Sequence, residues 1–192
     1  MAAKKQKSIR EQLRAHRDNC EAITLWREPL VPYSAGAFVV EVGSDLALVQ
    51  DISDFSSDGY QILRIDDISR IDRGGAEKFL ERILQSEGIV TKACAPFDIE
   101  LSNWRTAIGA IKSNSQNMIV EDEKPDDELF LVGRVTRLSA KSLAIRHFDA
   151  VGYWELSDRV VPYSRITAVT FDDRYTTMYS KHVRTRVTPT AP

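Results

Sequence analysis

The sequence predicts a mostly β chain with flanking helices, an α+β protein of two small five-stranded, strongly bent antiparallel barrels, each preceded by an N-terminal helix. Three observations lead there. The chain repeats itself: at an offset of 95, Ile9 falls on Trp104, Leu13 on Ile108, Asn19 on Asn114, Ile23 on Met118 and Glu28 on Glu123. Further on, Gly59-Tyr60 falls on Gly152-Tyr153 and Ile68–Ile71 on Ile166–Val169, with the drift that loop insertions require. Short apolar segments follow one another, punctuated by Gly, Asp, Ser and Pro, as the strands of a small barrel do. Finally, apolar residues recur at helical spacing ahead of each run of strands.

In the first copy, Ser8 caps a helix carrying Ile9, Leu13 and His16, which ends at Asn19. Strands are expected over Ala22–Trp26, Phe38–Val42, Leu46–Val49, Tyr60–Ile65 and Ile68–Ile71. Pro29, Pro32 and Gly36 mark one loop and Asp51–Gly59 another. Phe79, Leu80, Ile83 and Leu84 form a helical stripe stopped by Gly88. Residues 1–88, with a helix at 76–87, make the first copy, and residues 89–98 the connection. Residues 99–192 make the second copy, with a C-terminal helix and a frayed tail. There, Trp104, Ala107, Ile108 and Ile111 are spaced i, i+3, i+4, i+7 on a helix. Strands follow over Met118–Val120, Leu129–Leu138, Leu143–Phe148, Gly152–Leu156 with Val160-Val161, and Ile166–Phe171. A short helix is expected in Asp173–His182.

Composition sets bounds. The 192 residues are 43% hydrophobic and 28% charged, ordinary for a globular protein. No apolar run reaches the 18 residues of a membrane span, so no membrane partner and a cytoplasmic location are expected. Cys20 and Cys94 sit in no motif and read as two buried thiols. The net charge of -2 is uneven: both termini are basic and the body between them is acidic. Such ends serve as nucleic-acid arms or as solubilising tails.

Little in the sequence speaks for catalysis. His16, His147 and His182 lie in no metal-binding spacing, and His147 reads as an exposed strand residue. The acidic run Glu121–Glu128 lacks the alternating Asp and the Gly that wrap a calcium ion and reads as a solvated hairpin loop. Asp66-Asp67 and Asp172-Asp173 read as turn chemistry. Gly74-Gly75 opens a helix. No cofactor, metal or catalytic residue is expected.

The order of one helix and five short strands resembles the Sm-like fold of Sm, Lsm and Hfq proteins. The second copy carries Gly133, Val135 and Leu138 where that family has a bent second strand, followed by Leu143 and Ile145. The first carries Leu63-Arg64-Ile65-Asp66-Asp67-Ile68 where the family has an Ile-Arg-Gly-Asp-Asn-Ile turn. The Asn with which the family reads a base has no counterpart in Ser139-Ala140-Lys141-Ser142 or in Gly43-Ser44-Asp45, and the second copy replaces the Arg-Gly turn by Val161-Pro162-Tyr163-Ser164-Arg165. The resemblance therefore implies a non-enzymatic interaction or assembly module, engaging a protein partner or its own copies through sheet edges as a homo-oligomer. The alternative is an RNA-binding protein that meets the phosphates of single-stranded RNA with Lys4, Lys5, Lys7, Arg10, Arg64, Arg184 and Arg186.

Overall fold

Helix α1 (Ile9–Asp18) starts where the sequence places it: the Ser8 hydroxyl accepts from the Glu11 amide, and the Glu11 carboxylate accepts from the Ser8 amide. Leu13 on its inner face is fully buried. The computed structural model describes residues 8–28, 30–89, 94–124 and 128–185. Ten strands follow α1 in one antiparallel sheet. The first set is β1 (Ala22–Trp26), β2 (Ser34–Val42), β3 (Leu46–Ser53), β4 (Ser56–Arg64) and β5 (Arg70–Asp72). The second is β6 (Met118–Asp122), β7 (Leu129–Leu138), β8 (Ser142–His147), β9 (Arg159–Pro162) and β10 (Ala168–Phe171). Helices α2 (Gly75–Ser86) and α3 (Trp104–Asn114) lie between the sets, and α4 (Arg174–Ser180) follows β10.

The strand order is β5-β1-β2-β3-β4-β10-β6-β7-β8-β9, so the order within the first set recurs within the second. The register shifts at Val39/Glu41 in β2 and at Val135/Arg137 in β7, where one extra residue bends each strand. The pairing does not divide into the two expected five-stranded barrels. The sheet is open and continuous, because the outer edge of β4 is taken by β10, with Ile62 opposite Val169 and Leu63 opposite Ala168.

Cross-strand partners share a face, so this join also merges the cores. The largest apolar cluster combines Leu46, Leu48 and Ile62 of the first set with Ile108, Val120, Ile145, Val169 and Phe171. Phe171 stacks on Tyr60 across the seam at 5.6 Å between ring centres. A second cluster, under α1, gathers Leu13, Ile23, Leu25, Val49 and Leu63 together with Ala168 of β10. Each major core thus contains residues from both sets.

Several local expectations change. The stretch Asp51–Gly59 is a hairpin rather than a loop: β3 runs to Ser53, β4 begins at Ser56, and Asp54 and Phe55 turn at φ 46° and 61°. That turn conformation usually carries Asn-Gly, which is why the sequence hides it. Gly152–Leu156 contributes only single bridges, Phe148 to Trp154 and Tyr153 to Arg184, and the fourth strand of the second set lies at Arg159–Pro162. Cys20 is half-buried and Cys94 exposed, both free, so the expected buried thiols are not found. His147 is half-buried, and its interior Nδ1 has no partner among the described residues. Among the described residues, no helix is long and apolar enough to cross a membrane.

Candidate functional site

Buried charges gather near the β4–β10 seam, Arg27 and Asp122 among them. Arg27 follows β1 directly and is only 6% exposed. Its Nη1 and Nη2 donate to the two carboxylate oxygens of Glu123 at 3.0 and 2.5 Å, and Nη2 also reaches the Thr167 carbonyl at 3.3 Å. The Thr167 hydroxyl donates to Glu123 Oε2 at 2.8 Å and accepts from the Glu123 amide at 3.1 Å. Next to it, Asp122 is buried and accepts from Arg165 Nε at 2.7 Å. The acidic run expected to be a solvated loop therefore turns inward at its start, because β6 extends through Asp122. Residues 125–127 of that run lie outside the described residues.

Glu121 is the least compensated of these acids. Burial, and then the neighbouring Glu123 charge, push its carboxyl from 4.5 up to about 7, with Arg27 pulling the other way. Burial likewise raises Asp51 and Asp67. For Glu121 the folded value lies above the unfolded one, so folding retains a proton between the two. Stability from this group falls as pH rises from about 4.5 to 7 and stays low above that. Glu121→Gln should therefore raise stability at pH 8.5 by roughly 2 to 3 kcal/mol and leave it nearly unchanged at pH 4. Urea denaturation of both proteins at the two pH values checks this.

On the opposite side of the seam is a cavity of about 680 Å³. Four turns border it: Asp45 between β2 and β3, Arg64 and Asp66 between β4 and β5, Ala140 between β7 and β8, and Tyr163 and Ser164 between β9 and β10. The start of α3 adds Asn103, Trp104 and Arg105. The turns compared with the Sm pattern thus meet in one place, although they come from both strand sets.

The expected phosphate contacts are less available than the sequence implies. Arg64 donates through Nη2 to the carbonyls of Tyr163 and Ser164 at 2.9 and 2.8 Å, so it braces the facing turn. Arg10 donates to the Ser44 carbonyl beside the same cavity. Arg184 is elsewhere, over the Tyr153 ring at 4.4 Å and donating to the Val151 carbonyl at 3.0 Å. The structure therefore brings Arg10 and Arg64 to one region and leaves Arg184 apart. Lys4, Lys5, Lys7 and Arg186 lie outside the described residues. With Asp45 and Asp66 facing Arg64 and Arg105, the cavity wall carries balanced charge.

The remaining candidates are structural. Glu77 accepts from the Gly74 amide at 2.6 Å and so occupies the start of α2. Asp173 caps α4 by accepting from the Thr176 amide at 3.0 Å. Among the described residues, no three His, Cys, Asp or Glu side chains are grouped to hold a metal ion. Sequence reading missed Arg27, Glu121 and Glu123; the one available signal was the pairing of Glu28 with Glu123 in the repeat, one residue away from the actual partner. No family model, curated protein or solved structure matches this chain.

Proposed function

We propose that the protein is a non-enzymatic assembly module of two Sm-like copies that joins further copies of itself through the ends of its sheet. The observation that carries this is the seam: the fourth strand of one set, β4, bonds to the fifth of the other, β10. The sheet ends present the same two kinds of strand, since β9 pairs only with β8 and β5 only with β1 among the described residues. Unpaired edges of this kind invite strand addition.

The internal register can be transposed onto the ends. Leu46 lies opposite Arg64 as Ser142 lies opposite Pro162, which equates Ile62 with Val160 and Gln61 with Arg159. Leu25 lies opposite Ile71 as Val120 lies opposite Val169, which equates Ile71 with Val169 and Asp72 with Thr170. A second chain adding in this register places Val160 opposite Ile71 and Arg159 opposite Asp72, one apolar pair and one pair of opposite charge. Val160 is 53% exposed, whereas its counterpart Ile62 is fully buried at the seam. Such head-to-tail contacts close into rings or extend into filaments.

Light scattering at micromolar concentration should give a mass above that of one chain. Val160→Asp and Arg159→Asp should each lower the association constant tenfold or more, and Arg159→Asp combined with Asp72→Arg should recover part of it. A wild-type protein that stays monomeric at about 100 µM sinks the reading.

The meeting of four turns around the large cavity favours a second reading, single-stranded RNA bound there through Arg64 and Arg105. Binding of that kind weakens steeply with salt. A gel shift with a short RNA at low salt, compared with Arg105→Ala, tests it; no shift for the wild type rejects it.

A further inference from the structure

A smaller cavity, of about 190 Å³, opens on the other face of the seam, at the end of the core that α1 covers. Leu25, Ala35, Val49 and Leu63 form the apolar part of its lining, and Arg27, Asp51, Gln61, Glu121 and Glu123 belong to the polar part. It exists because a side chain is small. Ala35 pairs with Leu25 four residues before the β2 bulge, and Leu131 pairs with Val120 four residues before the β7 bulge. Leu131 fills the second set's core at the place where Ala35 leaves room.

Three of its polar groups, Asp51, Glu121 and Arg27, are incompletely compensated. Asp51 enters from β3 and Glu121 from β6, and both line the cavity. Arg27 lines it too; its two Nη atoms are engaged by Glu123, but its buried Nε has no acceptor among the described residues. Among the described residues, Arg27 is the cation that acts on Glu121, and the charge that acts most on Asp51 is another acid, Asp58. Two carboxyls without a cation of their own and one donor without an acceptor describe the complement of a ligand. We propose that this cavity binds a short aliphatic amine that also carries an oxygen acceptor, an amino alcohol being the simplest case. The ammonium sits between Glu121 and Asp51, the methylenes lie on Leu25, Val49 and Leu63, and the oxygen accepts from Arg27 Nε. This site is independent of self-association, which uses the sheet ends.

The probe is 4-amino-1-butanol, titrated into the full-length protein at pH 8 and followed by amide NMR shifts and calorimetry. Shifts should localise to Leu25, Val49 and Gln61 and saturate in the millimolar range or below. Butylamine, which lacks the oxygen, and 1,4-butanediol, which lacks the ammonium, should bind at least about fivefold more weakly. Glu121→Gln, with an unchanged circular dichroism spectrum, should weaken binding about tenfold, and so should Asp51→Asn. Lowering the pH to 5.5 should act in the same direction, because protonating Glu121 removes its charge. The groups that face it are Arg27 after β1, Asp51 on β3, Glu123 after β6 and Asp173 at the cap of α4. No localised shifts at 50 mM probe, equal response to the diol, or full binding by Glu121→Gln would each overturn the assignment.

Discussion

Arg27→Ala should destabilise the protein by about 3 to 5 kcal/mol, the cost of leaving one partner of a buried ion pair behind. Glu123 would keep its position in a side-chain environment only 15% exposed, with the Thr167 hydroxyl as its remaining donor. For a chain of this length the loss corresponds to a fall in melting temperature of roughly 6 to 20 °C. The double replacement Arg27→Met with Glu123→Leu should cost much less than the single one, because no charge is stranded. Urea denaturation of the wild type, the single and the double variant settles the point; equal losses in both variants would show that packing, rather than the stranded charge, sets the cost.

Gly133→Ala should be at least as damaging. A Cβ at Gly133 would stand 2.1 Å from the Arg146 carbonyl oxygen and 2.7 Å from the His147 Cα, both backbone atoms of the paired strand. Neither can rotate away, so β7 and β8 must part where they register Gly133 against His147. We expect a loss of about 4 kcal/mol or more, in the range reserved for substitutions with a named steric cause. Gly109→Ala is the matched control. Its Cβ would meet only the Leu138 Cδ1 at 3.6 Å, and helix propensity should make the protein about 0.5 to 1 kcal/mol more stable. Two Gly→Ala changes of opposite sign, read by thermal melting, separate close strand packing from backbone entropy.

Features that rest on neighbouring residues could be read from the sequence. Ser8 and Glu11 make a capping box, the Phe79–Leu84 stripe gives α2 within a residue of its bounds, and Gly133 marks a close approach. The seam could not be read in this way. Pairing of Ile62 with Val169 joins residues more than a hundred positions apart, and no periodicity within either strand announces which edge meets which. Arg27 sits in Trp26-Arg27-Glu28-Pro29, which has the composition of a loop, and Glu121 belongs to a run of acids whose average chemistry is solvation. Their burial follows from the long-range pairing rather than from their own neighbours.

The late position of β10 has a consequence for synthesis. Strand β4 is complete by Arg64, yet its partner ends at Phe171, about 107 residues later. At roughly 5 to 20 residues per second, the ribosome leaves the β4 edge and the side chains of Leu48 and Ile62 without their cover for on the order of 5 to 20 s. A nascent chain with an open edge is a target for neighbours on the same polysome, so yield should depend on translation rate and on chaperones that shield a growing sheet.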